Sequence, residues 1–177
     1  MTVASIKQSS ILQGVAQKGS VLQVVSTTKT DIFTANVAAS GFAAVTGLTA
    51  TITPSSTSSK ILVITSVSLS QDVQHGVGSF RLTRDSTPIG IGNAAGSRIR
   101  TTASQTGPLG GNDAGIASVS SNFLDSPATT SALEYGVDFQ NFTSTTEAVN
   151  LNHAEDDADS SGRTRPVSTI TLMEVAG

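Results

Sequence analysis

The alternation of apolar and polar positions is clearest from Lys60 onward, in KILVITSVSLS. Ile61, Val63, Thr65, Val67 and Leu69 fall on one face of an extended chain. Leu62 and Ile64, followed by Ser66, Ser68 and Ser70, fall on the other. That arrangement predicts a strand buried on both faces at its start and emerging toward solvent at its end. The preceding ITPSSTSS carries Pro54, with its fixed φ, and small hydroxyl side chains that bond to nearby backbone. It reads as the corner before a strand, not as a linker or a reactive serine loop.

The same period of two recurs along the chain. LEYGVDFQ sets Leu133, Tyr135, Val137 and Phe139 against Glu134, Gly136, Asp138 and Gln140, which predicts one buried face and one facing water. SFRLTRD sets Phe80 and Leu82 against Arg81 and Thr83, and a short turn leads to PIGIG. SVLQVVS, FAAVTGL running into TATIT, ASVSSNFLD, AVNLN and VSTITLMEV complete the series. About nine or ten strands, separated by Gly, Ser, Pro and Asn clusters, indicate an all-β antiparallel sandwich of jelly-roll type over residues 20–177.

Two stretches fall outside the alternation. TTASQTGPLGGNDAG (residues 101–115) reads as a long exposed glycine-rich loop. Residues 1–19 form an arm that contains an echo: Ser10-Ile11-Leu12-Gln13 with Val15 recurs as Ser20-Val21-Leu22-Gln23 with Val25. One echo is too short for a solenoid. It marks an extra β-like segment that the core does not need, of the kind that docks on something, often a neighbouring subunit.

Composition sharpens the class. Of 177 residues, 37% are hydrophobic and only 13% charged, and serine and threonine together number about 50. A formal net charge of −3 and ten basic residues argue against nucleic acid, because phosphate binding needs clustered Lys and Arg. The pairs Arg98/Arg100 and Arg163/Arg165 read as solvated loop pairs. With no cysteine, neither a disulfide framework nor a thiolate metal site is available. No apolar run has the length of a secretory h-region or a membrane span, so synthesis and assembly in a cytoplasm are expected, without a membrane. On that reading the sequon Asn141-Phe142-Thr143 carries no weight.

Candidate chemistry is thin. A nucleophilic serine needs a base and an orienting acid, and the chain offers only His75 and His153, neither near a G-x-S-x-G elbow. Both read as loop residues. GIGNAAG (residues 90–96) has neither the spacing nor the following helix of a dinucleotide loop, and reads as a glycine turn. In HAEDDADSSGR, Asp157, Asp159, Ser161 and Gly162 match the first, third, fifth and sixth positions of a calcium loop. The twelfth is Ser168, and Pro166 leads into a strand. A solvated hairpin tip is the better reading, with a weak calcium site as the alternative. Aromatic content of 4% without tryptophan supplies no carbohydrate platform. The sequence predicts neither an enzyme nor a cofactor.

Several phrases taken together, GSVLQVVSTTKTD, VTGLTATITPSSTSSKILVITSVS, FRLTRDSTPIGIGNAAGSR, SNFLDSPATTSALEYGV and VSTITLMEVAG, carry a resemblance over residues 19–177. The chain resembles a β-sandwich module widespread in tailed phages of aquatic bacteria, including cyanophages, found as a free-standing virion protein and as the distal tip of tail fibres and spikes. The resemblance implies a homotrimer of jelly-roll or TNF-like sandwiches on the outside of a phage particle, and it carries over no set of functional side chains.

The module begins about nineteen residues from Met1, without heptads or triple-helical repeats before it, which favours a capsid decoration (cement) protein over a fibre tip. Its expected place is the outer capsid surface, and its expected partners are its own copies and the major capsid protein. The arm would brace the contact through Ile6, Ile11, Leu12 and Val15 as apolar anchors, with Lys7 and Lys18 as charge contacts. The alternative is a distal receptor-binding module that recognises a host-surface glycan. A TNF-like signalling ligand is the weakest reading, because no secretory signal or anchor is visible.

Overall fold

The structure is a computed structural model that describes residues 17–71, 77–106 and 115–177. Among these residues there are eleven strands and no helix: β1 (Val21–Lys29), β2 (Phe33–Val37), β3 (Phe42–Ile52), β4 (Lys60–Gln71), β5 (Val77–Arg84), β6 (Thr87–Ile89), β7 (Ala103–Thr106), β8 (Ala117–Asp125), β9 (Leu133–Gln140), β10 (Glu147–Leu151) and β11 (Ser168–Val175). All pairings are antiparallel and form two sheets. The all-β antiparallel sandwich expected from the alternation is present.

The registers simplify the first sheet. β4 pairs with β8 along Ile61–Leu69, with β11 along Lys60–Ser66 and with β10 along Leu69–Gln71. Since β8 occupies one edge throughout, β11 and β10 lie end to end on the other. β1 pairs with β11 and β2 with β10, so they too run in line. The sheet is therefore four rows: β1/β2, β11/β10, β4, β8. In the second sheet the rows are β3, β9, β5 and then β7/β6, because β6 and β7 share the edge of β5 opposite β9.

The inner faces meet in one core. Ile61, Val63, Val67, Leu69, Ile170, Leu172 and Val149 from the first sheet pack on Leu48, Ile52, Phe80, Leu82, Val137 and Phe139 from the second. Each alternates with outward-facing residues on its own strand, as face-to-face sheets require.

Where the strands are interrupted, buried amides hold the ends. Asn152, at φ 62°, donates to the carbonyls of Lys29 (2.9 Å) and Asp31 (3.0 Å) and accepts from Ser168 Oγ (2.7 Å). It thus clips the break between β1 and β2 to the break between β10 and β11. Asn141 is fully buried, donating to the carbonyls of Val37 (2.7 Å) and Thr145 (2.8 Å) and accepting from Gln71 Nε2 (2.6 Å). The sequon asparagine is a structural staple inaccessible in the folded chain.

Four expectations are corrected. β4 is buried on one face only at its start and on both faces at its end, the reverse of the pattern predicted: Ile64 is on the surface, whereas Ser68 and Ser70 are buried. The chain at 152–168 covers that end, with the Ser68 amide donating to Ser168 Oγ and Ser70 Oγ donating to the His153 carbonyl. The polar face of β9 is covered at its far end, although Glu134 stays exposed, because Arg81 pairs with Asp138 at 2.9 Å while lying over the Phe42 ring, and Ser79 Oγ bonds Gln140. The stretch 101–115 is not all loop, since Ala103–Thr106 pairs with β5. The acidic run is not a hairpin tip but an excursion between two collinear strands.

Candidate functional site

The outer face of the first sheet follows from its registers. Val24 pairs with Met173, Met173 with Leu62 and Leu62 with Leu124, so four apolar side chains form one row across four strands. The next row is Ser26, Thr171, Ile64 and Asn122, and the one after it Thr28, Thr169, Ser66 and Ser120. Val24 is 55% exposed, Leu124 47% and Ile64 38%; Leu62 and Met173 are half-buried by their neighbours. Val21 and Leu22 extend the apolar surface past the bulge at the start of β1.

What this face lacks is as telling as what it holds. None of the three rows carries a charged residue, and Lys60 stands at the margin beside Val175. Contiguous exposed apolar residues mark interaction sites. The sequence reading placed Leu62 and Ile64 in the core. The signal that separates them from core residues is their cross-strand partners, hydroxyls and apolar residues on strands far away in sequence.

One end of this sheet is closed by the PSSTSS corner around a buried carboxylate that sequence reasoning missed. Glu174 lies on the inner face of β11 and is almost fully buried. It accepts from the Ser55 amide (2.7 Å), Ser55 Oγ (2.6 Å) and Gln23 Nε2 (2.6 Å). Burial works to raise its pKa, but the donors Ser55 and Gln23, with the Ser59 hydroxyl nearby, outweigh it and hold the carboxyl at about 2. The hydroxyl run thus has a structural task, and chemistry at these serines is not needed to explain it.

The remaining candidates are dispersed. Lys18 is exposed in the turn before β1, while Ile6, Lys7, Ile11, Leu12, Val15 and His75 lie outside the described residues. His153 is a loop residue but buried, its Nε2 2.9 Å from Thr34 Oγ1. Of the calcium candidates, Asp157 bonds Arg165 at 2.6 Å, and Asp159 and Ser161 are exposed further along the excursion. Among the described residues no three His, Cys, Asp or Glu side chains gather to hold a metal. The guanidiniums of Arg98 and Arg100 bond carbonyls of their own loop, at Ala95 and Gly92, and Arg163 pairs with Asp156. On the opposite outer face, Thr49, Thr83, Ser86 and Glu134 surround a shallow notch floored by Gly136.

No model of a known protein family matches the chain, and no curated protein matches it in sequence.

Proposed function

We propose that this chain is a structural virion protein, a homotrimeric capsid decoration protein whose copies meet through the outer face of the β1, β11, β4, β8 sheet. The observation that carries the reading is the charge-free face itself, with the apolar row Val24, Met173, Leu62 and Leu124 at its centre. Subunit interfaces are depleted of charge and enriched in apolar side chains at their core, and three copies of a neutral face converge on a three-fold axis without like-charge repulsion. The row order of the two sheets, β1/β2, β11/β10, β4, β8 against β3, β9, β5, β7/β6, supports the jelly-roll reading of the sandwich. This supports the resemblance to virion sandwich modules.

On a particle such a trimer bridges neighbouring capsid subunits. A ligand that binds only the assembled shell stabilises it by mass action, and three linked contacts multiply the effect. The test is the copy number of this chain in purified virions relative to the major capsid protein. A ratio near one per capsid subunit is expected. A handful of copies overturns the decoration role in favour of a tail tip, where the polar notch above Gly136 becomes the first place to look for a glycan.

A further inference from the structure

We propose that the notch over Gly136 is a binding site for one ring of a neutral saccharide or similar polyol. It lies on the outer face of the β3, β9, β5 sheet, opposite the face proposed above to join copies, so the inference does not rest on that assembly. Its floor is a single cross-strand row. Thr49 on β3 and Thr83 on β5 both pair with Gly136 on β9, and Glu134 and Asp138 flank that glycine along the same strand.

Glycine inside a strand weakens it and often marks the close approach of something else. A Cβ at position 136 would lie 3.2 Å from Thr49 Cγ2 and 3.3 Å from Thr83 Oγ1, filling the floor between them. The space left open is about 190 Å³. Drug-sized ligands take pockets of roughly 300 Å³ upward, so this one suits a single small ring.

The turn between β5 and β6 adds a third hydroxyl. Arg84 pairs with Thr87, and Asp85 (φ 48°) and Ser86 (φ 63°) between them are both left-handed, as in a type I′ turn. Such turns favour glycine at their second position, where this chain has serine. The Asp85 amide donates to the Glu134 carbonyl at 2.8 Å, and Asp85 Oδ1 accepts from the Glu134 amide at 3.0 Å. These two bonds pin the turn to β9 and keep Ser86 at the rim of the notch.

The groups that converge there are unpaired. Among the described residues, the hydroxyls of Thr49, Thr83 and Ser86 and the carboxylate of Glu134 bond no other protein group. Asp138, by contrast, is engaged by Arg81 at 2.9 Å. An anionic ligand would meet Glu134 with Arg81 already occupied, and a metal ion would find one free carboxylate. An ammonium brings only donors, whereas the three hydroxyls both donate and accept. Neighbouring hydroxyls on a ring match the set: they donate to Glu134 in charge-assisted bonds and accept from the threonine and serine hydroxyls.

The test is saturation-transfer NMR on the full-length protein, with the methyl glycosides of glucose, galactose, mannose and rhamnose as probes. Millimolar binding of at least one glycoside is expected. Glu134→Gln and Ser86→Gly should each weaken it by roughly tenfold or more, the loss of one hydrogen bond to a polar or charged partner. Ser86→Gly should melt no lower than the parent, because glycine suits the left-handed turn position, so its loss of binding cannot come from unfolding. Gly136→Ala, on backbone that accepts alanine, should block the notch outright. A parent that responds to none of the glycosides, or a response that survives in either Glu134→Gln or Ser86→Gly, overturns the site. Tighter binding of methylammonium than of any glycoside overturns the ligand class.

Discussion

The hydroxyl of Tyr135 on β9 donates to the Asp125 carboxylate on β8 at 2.7 Å, joining the two sheets through a buried bond. The same oxygen accepts from Arg84 at 2.6 Å, and the other takes the Ser126 amide. Tyr135→Phe should lower stability by about 1–2 kcal/mol, the loss of one buried hydrogen bond. Asp125→Ala should cost about 3 kcal/mol, because it strands both Tyr135 and a partly solvated Arg84. Urea denaturation of the two variants checks the order.

Tyr135 also provides an optical readout, since it is the only tyrosine and there is no tryptophan. Burial, reinforced by the Asp125 carboxylate, pushes its phenol above the ordinary value of about 10. A group whose folded pKa is raised contributes stability below its unfolded pKa and loses it as pH rises toward the folded one. Phenolate absorbance should therefore stay flat through pH 10 and rise above it, together with unfolding. A titration with a midpoint near 10 in folded protein would refute the buried bond.

At the acid end the sign reverses. Glu174 is depressed to about 2, so its contribution is complete above the unfolded value near 4.5 and is lost as pH falls between the two. Glu174→Gln should be less stable than the parent at pH 7 and less sensitive to pH between about 4.5 and 2. Asp31 and Asp156, also lowered by their partners Lys29 and Arg163, titrate in both proteins, so the difference isolates Glu174. Parallel stability curves for the two proteins would contradict the role given to the corner.

Gly90 stands at φ 59°, and a Cβ there would lie 2.9 Å from the Phe123 ring. Gly90→Ala should destabilise by about 1–3 kcal/mol through backbone strain and overlap. Thermal unfolding of Gly90→Ala in a Phe123→Leu background should show a smaller loss, because the overlap is relieved while the backbone strain remains.

The sandwich was legible because period-two alternation is a local signal. Leu133 through Phe139 and Ile61 through Leu69 announce their inner faces without any knowledge of partners. What covers an outer face is not local. The burial of Ser68 and Ser70 depends on residues 152–168, and that of Asp138 on Arg81. Glu174 is in phase with Ile170 and Leu172 on the inward half of its strand, and a carboxylate there makes sense only once Gln23 and Ser55 are brought to it from more than a hundred residues away. The row Val24, Met173, Leu62, Leu124 exists only in the registers. The excursion between β10 and β11 hid that both strands pair with β4, since Asp157, Asp159 and Ser161 resemble a ligand loop until Arg165 is seen opposite Asp157.

The central claim is that the charge-free face joins copies of this chain, and native mass is the measurement that tests it most directly. The account predicts a particle of three chains of 17.9 kDa each. It further predicts that Leu62→Glu combined with Met173→Glu, both on that face, yields a single folded chain with an unchanged β-sheet circular dichroism spectrum. A parent protein that runs as one chain, or a double variant that remains assembled, would contradict it.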